Sequence, residues 1–257
     1  MHPAQTPSWA TDVDWQNAWS RPWKDIGEPV QAAVAAGMPL WAALQTGSPA
    51  PVRFVAHNEL PPITGYEQFI RETGSCPVRD TMHDFFNGLC WLHFPLTKRR
   101  LNALQCQQID YARASSTRGA VRDALTLFDE NAALLWAPPD LWRALREKDW
   151  SHLFGPLRPL WDDAQLLLFG HALMEKLQRP RKAITAHVYQ VRERMDRRSD
   201  LDHWLADDLS AARMVTKPFS HLPILGVPGW WAANEAPGFY DDRSVFRPPR
   251  ALPGKSK

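Results

Sequence analysis

Residues 83–113 read HDFFNGLCWLHFPLTKRRLNALQCQQIDYAR. Apolar residues recur here at helical intervals, and Pro95 sits in the middle. Proline starts a helix well and interrupts one badly, so the stretch predicts two helices meeting near Phe94-Pro95. On the first, His83 and Asn87 lie one turn apart and share a face, with Asp84 beside it. On the second, Lys98 and Asn102 share a face by the same spacing. A bend at Pro95 brings these polar edges toward one hollow, where His83 suits a base or ligand, Asp84 an orienting carboxylate and Lys98 an anion holder. The bland alternative is that the same groups satisfy buried backbone near a kink.

Upstream, Trp15, Trp19 and Trp23 recur every fourth residue, a helical spacing. Residues 25–46 read as two short helices broken at Gly37-Met38-Pro39, and residues 52–55 as a short extended piece. Thr64 is placed to cap a helix through Tyr66, Phe69 and Ile70. Downstream, LTLF (125–128) and ALLW (133–136) flank DENA, a turn-like tetrad. Hairpin and continuous helix both fit residues 123–136, and the hairpin fits slightly better. Residues 141–147 read as helix, and residues 162–177 as the clearest amphipathic helix. Residues 182–191, KAITAHVYQV, suit strand or helix. Ser199 with Asp202 resembles a capping box for a helix to about Met214. From Lys217 to Arg250 there are too many prolines and glycines for a long helix and too many aromatics for a solvated tail. The expectation is an extended arm packed on the rest, with residues 251–257 disordered. Together these predict an α+β fold, predominantly helical, with one small sheet or hairpin, as a single globular domain over 1–250.

A second constellation is GHALMEK (170–176). His171 and Glu175 stand at i and i+4, the spacing that gives one metal two ligands from one helix, or one histidine its carboxylate. In the third, RDALTLFDEN (122–131), turn chemistry accounts for Asp129, Glu130 and Asn131, while Asp123 is harder to dismiss. His187, in TAHVYQ, is a lone histidine that suits either a core position or a further ligand. In the arm, Asn234, Glu235, Asp241 and Asp242 lie among aromatics that could close over a pocket.

Bulk properties limit the function. Thirty basic and 28 acidic residues give a net charge of +2, too little field for nucleic acid. The three cysteines, Cys76, Cys90 and Cys106, form no CxxC pair, which argues against disulfides and a thiolate zinc site. The N-terminal residues lack a basic and then apolar leader, and no apolar run is long enough for a bilayer, so a cytoplasmic location is expected. GxGxxG after a strand, GxxxxGK[ST], GxSxG and HExxH are all missing.

Taken together, residues 83–102, RDALTLFDENAALL (122–135), GHALMEKL (170–177), VPGWW (227–231) and FYDDRSVFRP (239–248) resemble a bacterial family known only as a domain of unknown function. The resemblance spans about residues 54–248 and implies one domain over most of the chain, without naming a substrate. That family usually has a glycine after the DEN segment, where this chain has Ala132. The functional expectation is a metal-assisted hydrolase. His83, Asp84, Lys98 and Asp123 are its catalytic candidates, and His83, His171, Glu175 and His187 its ligands for a divalent ion. The alternative is a non-catalytic protein that binds a small molecule or plays a structural part. The ligand and the oligomeric state are left open.

Overall fold

The structure, a computed structural model, describes residues 6–46, 50–115 and 119–249, with the backbone alone for 112–115. The fold is α+β and predominantly helical. The pivot is the helix α4 (Met82–His93), preceded by α1 (Lys24–Ala35), α2 (Leu40–Gln45) and α3 (Tyr66–Thr73). Asp84 through Trp91 are all buried, as in a helix that has neighbours on every side. Gly88 makes one such contact possible: a Cβ there would stand 2.4 Å from Leu44 Cδ1 of α2. The Thr81 side chain caps α4 by accepting from the Asp84 N–H at 3.2 Å.

Phe94 breaks the helical path and Pro95 starts α5 (Pro95–Ser115), as the sequence predicts. The first N–H groups of α5 are capped from a distance. Leu96 N and Thr97 N donate to the carboxylate of Asp202 at 3.0 and 2.8 Å. That carboxylate belongs to α10 (Arg198–Asp208), so Asp202 does not serve a capping box with Ser199. A buried carboxylate goes where unsatisfied donors are, and those lie on α5.

Two sheets are present among the described residues. β1 (Arg53–Ala56) and β2 (Ser75–Val78) pair in parallel. The larger sheet has the order β4-β3-β5-β6, formed by β4 (Gln165–Leu168), β3 (Ala132–Trp136), β5 (Thr185–Gln190) and β6 (Phe219–Pro223). Only the β3–β5 pairing in it is parallel.

The expected hairpin over 123–136 is absent. Residues 120–131 form α6 (Ala120–Asn131), and β3 follows without a loop. The DEN segment ends a helix and Ala132 is extended (φ −74°, ψ 144°), so no left-handed residue is needed. The expected helix over 162–177 is likewise replaced. Its first two residues end a 3-10 turn (Arg158–Asp163), its QLLL run is β4, and only α9 (His171–Lys176) is α-helical. The apolar run was indifferent between helix and strand; pairing with β3 decides for strand. The tryptophans at 15, 19 and 23 are buried, yet they lie in turns and short 3-10 segments. Helix α3 is capped at Gly65, not by a Thr64 side chain.

Helices α7 (Pro139–Glu147), α8 (Trp150–Phe154) and α11 (Ala211–Met214) complete the helical part. After β6 the arm runs through short 3-10 turns and packs back. Tyr240 stacks on Phe154 at 4.6 Å between ring centroids, and Trp150 Nε1 donates to Arg247 O at 2.7 Å. The expected tail at 251–257 lies outside the described residues.

Candidate functional site

Glycine 170 sets up the site. Its N–H donates to Ala132 O at 2.8 Å, and a Cβ on it would stand 2.5 Å from Asn131 N and Glu130 O. Only a residue without a side chain lets β4 turn into α9 this close to the α6–β3 junction. As a result His171, the first residue of α9, sits against Asp129 in the last turn of α6. His83 comes from the first turn of α4, which packs on α9.

The side chains form a continuous line. His83 Nδ1 donates to Glu175 Oε2 at 3.0 Å, and His83 Nε2 faces His171 Nε2 at 3.1 Å. The rings meet edge to face, with centroids 4.5 Å apart. His171 Nδ1 lies 4.0 Å from Asp129 Oδ2 and has no hydrogen-bond partner. Asp129 Oδ1 accepts from Lys98 Nζ at 2.5 Å, and Lys98 also donates to Asn87 Oδ1 at 2.9 Å. Asn87 in turn donates to the Tyr66 hydroxyl at 3.0 Å. The line runs from the half-exposed Glu175 to Lys98, whose side chain is only 5% exposed.

Burial dominates the electrostatics. It pulls the His171 imidazole down to about 4, with Asp129 opposing and Lys98 and His83 adding to the fall. Burial also pushes the Asp129 carboxyl up, but the Lys98 ammonium and then His171 outweigh it and hold Asp129 below the usual carboxylate range. For Lys98, burial pulls downward, and Asp129 together with Cys90 and Glu67 more than offsets it, so the ammonium is held above its ordinary value. Burial raises Glu67, against the pull of its hydrogen bond from Asn102.

These groups border a cavity of about 220 Å³, whose wall includes Glu67, Arg79, His83, Asp129, Glu130 and His171. Behind it, beside Lys98 and Asn102, lies a space of about 10 Å³, roughly the room one water needs.

The predicted residues divide clearly. His83, His171 and Glu175 come together, although Glu175 engages His83 and not its own helix neighbour His171. Asp84 lines the cavity but is occupied. It accepts from the Arg79 backbone N–H at 2.7 Å and from the Arg79 guanidinium twice at 3.0 Å. Lys98 is in the line as a structural cation, and Asn102 holds Glu67 Oε2 at 2.5 Å. Asp123 is exposed in the first turn of α6 and does not border the cavity. His187 lies on β5 opposite His221, with ring centroids 4.7 Å apart, and takes no part in the line. Asn234, Glu235, Asp241 and Asp242 are not in the cavity wall either; Asn234, for one, is spent on Leu225 O and Val227 O.

The sequence reading assigns Asp129 to a turn and does not single out Glu67, Tyr66 or Arg79 as site residues. A signal existed for the first of these. Read as helix, Thr126, Asp129 and Glu130 stand at i, i+3 and i+4 and share one face, which is the face that lines the cavity.

A family profile described as "Protein of unknown function (DUF3025)" matches residues 52–250. The chain belongs to this DUF3025 family. The match takes in every described strand and all of the line from His83 to Glu175, so these lie within the DUF3025 region. No curated protein and no solved structure matches the chain. No described helix is long and apolar enough to cross a membrane.

Proposed function

We propose that this protein is an enzyme, a hydrolase whose reactive centre is the His83–His171 imidazole pair. The observation that carries the reading is the 3.1 Å approach of the two Nε2 atoms at a cavity wall, with Glu175 fixing the far nitrogen of His83. A carboxylate on Nδ1 sets the tautomer, so that Nε2 of a neutral His83 offers its lone pair to a proton. His171 stands beside it to share or pass on that proton, and Asp129 and Lys98 hold His171 from behind. Water in the cavity is the nucleophile this arrangement activates. The cavity is smaller than the roughly 300–1,000 Å³ of drug-sized sites, so the substrate is a small polar molecule or enters by its reacting end only. The chain acts without nucleic acid, in the cytoplasm.

The test is a hydrolysis screen with chromogenic esters, amides, phosphates and glycosides, followed by His83→Gln and His171→Gln on any substrate turned over. Loss of one positioned acid–base group costs about 10²–10⁴-fold in rate. A hydrolytic rate that both variants retain refutes the reading.

A further inference from the structure

We infer that this chain has a second ligand site, a pocket between the larger sheet and α10 that takes a small apolar monocarboxylate and receives its charge at Arg198. The floor of the pocket follows from strand register. Side chains alternate along β3, so Leu134 and Trp136 fall on one face, and Leu167 and Gln165 of β4 stand directly opposite them. Met195, Arg198 and Leu201, from α10 and the segment before it, complete the lining. The space is about 390 Å³, within the roughly 300–1,000 Å³ of small-ligand sites. At roughly 30 Å³ per heavy atom, the share of a water in the liquid, it holds roughly 13 of them. None of its lining residues borders the cavity at the His83–His171 pair, so the two sites are separate.

Arg198 is the only charged side chain in a lining that is mostly apolar. Its guanidinium donates to His93 Nδ1 at 2.6 Å and to Pro22 O at 3.0 Å. It also lies over the Trp23 and Phe94 rings, 5.5 and 5.7 Å from their centroids. All of these partners are neutral, His93 because burial pulls it down to about 3. They aim the guanidinium without cancelling its charge. The neighbouring cations are placed differently: Arg197 has Asp200 at 2.9 Å and Arg194 has Asp196 at 3.2 Å. Among the described residues Arg198 has no ion pair, and Asp25 acts on it from beyond 4.0 Å. Burial accordingly pulls Arg198 below its ordinary value, with Asp25 opposing only in part. As the first residue of α10 it also stands where the helix dipole favours an anion over a cation. A half-buried charge without a counterion costs free energy that an arriving carboxylate recovers. Two of the five guanidinium N–H donors are in use, so three remain for the carboxylate oxygens. One guanidinium matches a monoanion, and the apolar lining matches a hydrocarbon body.

The experiment is calorimetric titration of decanoate, kept below its micelle concentration, into the full chain, beside decanol and decylamine. The same titrations are run on Arg198→Gln and on Ala164→Phe, which fills the pocket and keeps the guanidinium. The expected result is one decanoate per chain, bound about 10-fold or more tighter than decanol or decylamine. Arg198→Gln should weaken decanoate about 10–100-fold, the worth of a charged hydrogen bond, and leave decanol unchanged, while Ala164→Phe should weaken both. No saturable binding of decanoate, equal binding of the three probes, or decanoate binding that Arg198→Gln leaves intact overturns the proposal. Should Arg198→Gln not fold, a diazirine-bearing decanoate on the wild-type chain decides it: label confined to residues 134–136, 164–167 and 191–201 supports the site, and label elsewhere overturns it. The rival occupant is a second copy of the chain, because β4 is an edge strand. A dimer in sedimentation that takes up no decanoate overturns the ligand site in favour of that contact.

Discussion

Replacing Lys98 by Met should cost about 3–5 kcal/mol of folding stability, and replacing Asp129 by Asn at the same time should restore most of it. The Nζ–Oδ1 distance is 2.5 Å and the side chains are 5% and 19% exposed, so solvent screens the pair little. With charge centres roughly 3.5 Å apart and an effective dielectric near 20, the attraction is about 5 kcal/mol. Against it stands a desolvation cost of several kcal/mol per ion. The pair therefore comes near to balance as a unit, while either charge left alone keeps its cost and loses its compensation. Methionine keeps most of the Lys98 stem and removes only the ammonium, which also stands 5.6 Å from the centroid of the Trp91 ring, so the loss is electrostatic and not a cavity. Equilibrium urea denaturation of wild type, Lys98→Met, Asp129→Asn and the double variant measures the coupling directly. A coupling energy of about 3 kcal/mol with unchanged m-values is expected. Additive single effects, or a loss below about 1 kcal/mol in Lys98→Met, would refute the reasoning.

Three further predictions concern the frame around the site. Gly170→Ala should destabilise by about 3 kcal/mol or more, because its methyl meets three backbone atoms of Glu130, Asn131 and Ala132 and backbone cannot turn aside; a melting temperature equal to wild type sinks this. Asp202→Ala should cost about 2–3 kcal/mol by uncapping α5, whereas Ser199→Ala should stay within about 0.5 kcal/mol; equal losses in chemical denaturation would restore the capping box. The third is a pH effect. Burial, with Arg198 adding to it, pulls His93 down to about 3, and the guanidinium donates to its Nδ1 at 2.6 Å. The unfolded chain takes up this proton first as pH falls below about 6.5. The stabilisation is thus complete above pH 6.5 and is lost progressively toward pH 3, with a slope of at most about 1.4 kcal/mol per unit. His93→Gln should flatten that slope between pH 6 and 4, and an unchanged slope in urea titrations at stepped pH rules it out.

The helical parts of this fold could be read wherever a local stop was written into the chain. Gly37, with φ +94°, separates α1 from α2, and Pro95 separates α4 from α5, each near the predicted place. Errors fell where the decision is tertiary. QLLL at 165–168 has no period to distinguish helix from strand, and the antiparallel partner that settles it, Ala133 to Trp136, lies some thirty residues upstream. The DEN segment looks like a turn because Asp and Asn are turn formers, but its three residues are the end of α6, and β3 follows at once. The tryptophans show the converse. Their spacing gave the buried face correctly and the secondary structure wrongly, since burial of Trp15, Trp19 and Trp23 needs only that they point the same way.

The site follows the same division. His83 and Asn87, and likewise His171 and Glu175, were visible as i, i+4 pairs, because one helix carries each pair. What joins the pairs was not visible. The two histidines are 88 residues apart and meet only because Gly170 lets α9 start against the end of α6. That contact also brings in Asp129, which no local pattern ties to a histidine. Sequence spacing suggested that Glu175 would share one ion with His171, yet it turns to the Nδ1 side of His83. The consequence is chemical. On Nδ1 it orients the His83 ring, the second use that this spacing allows, but for a histidine on another helix, and it turns His83 Nε2 toward His171.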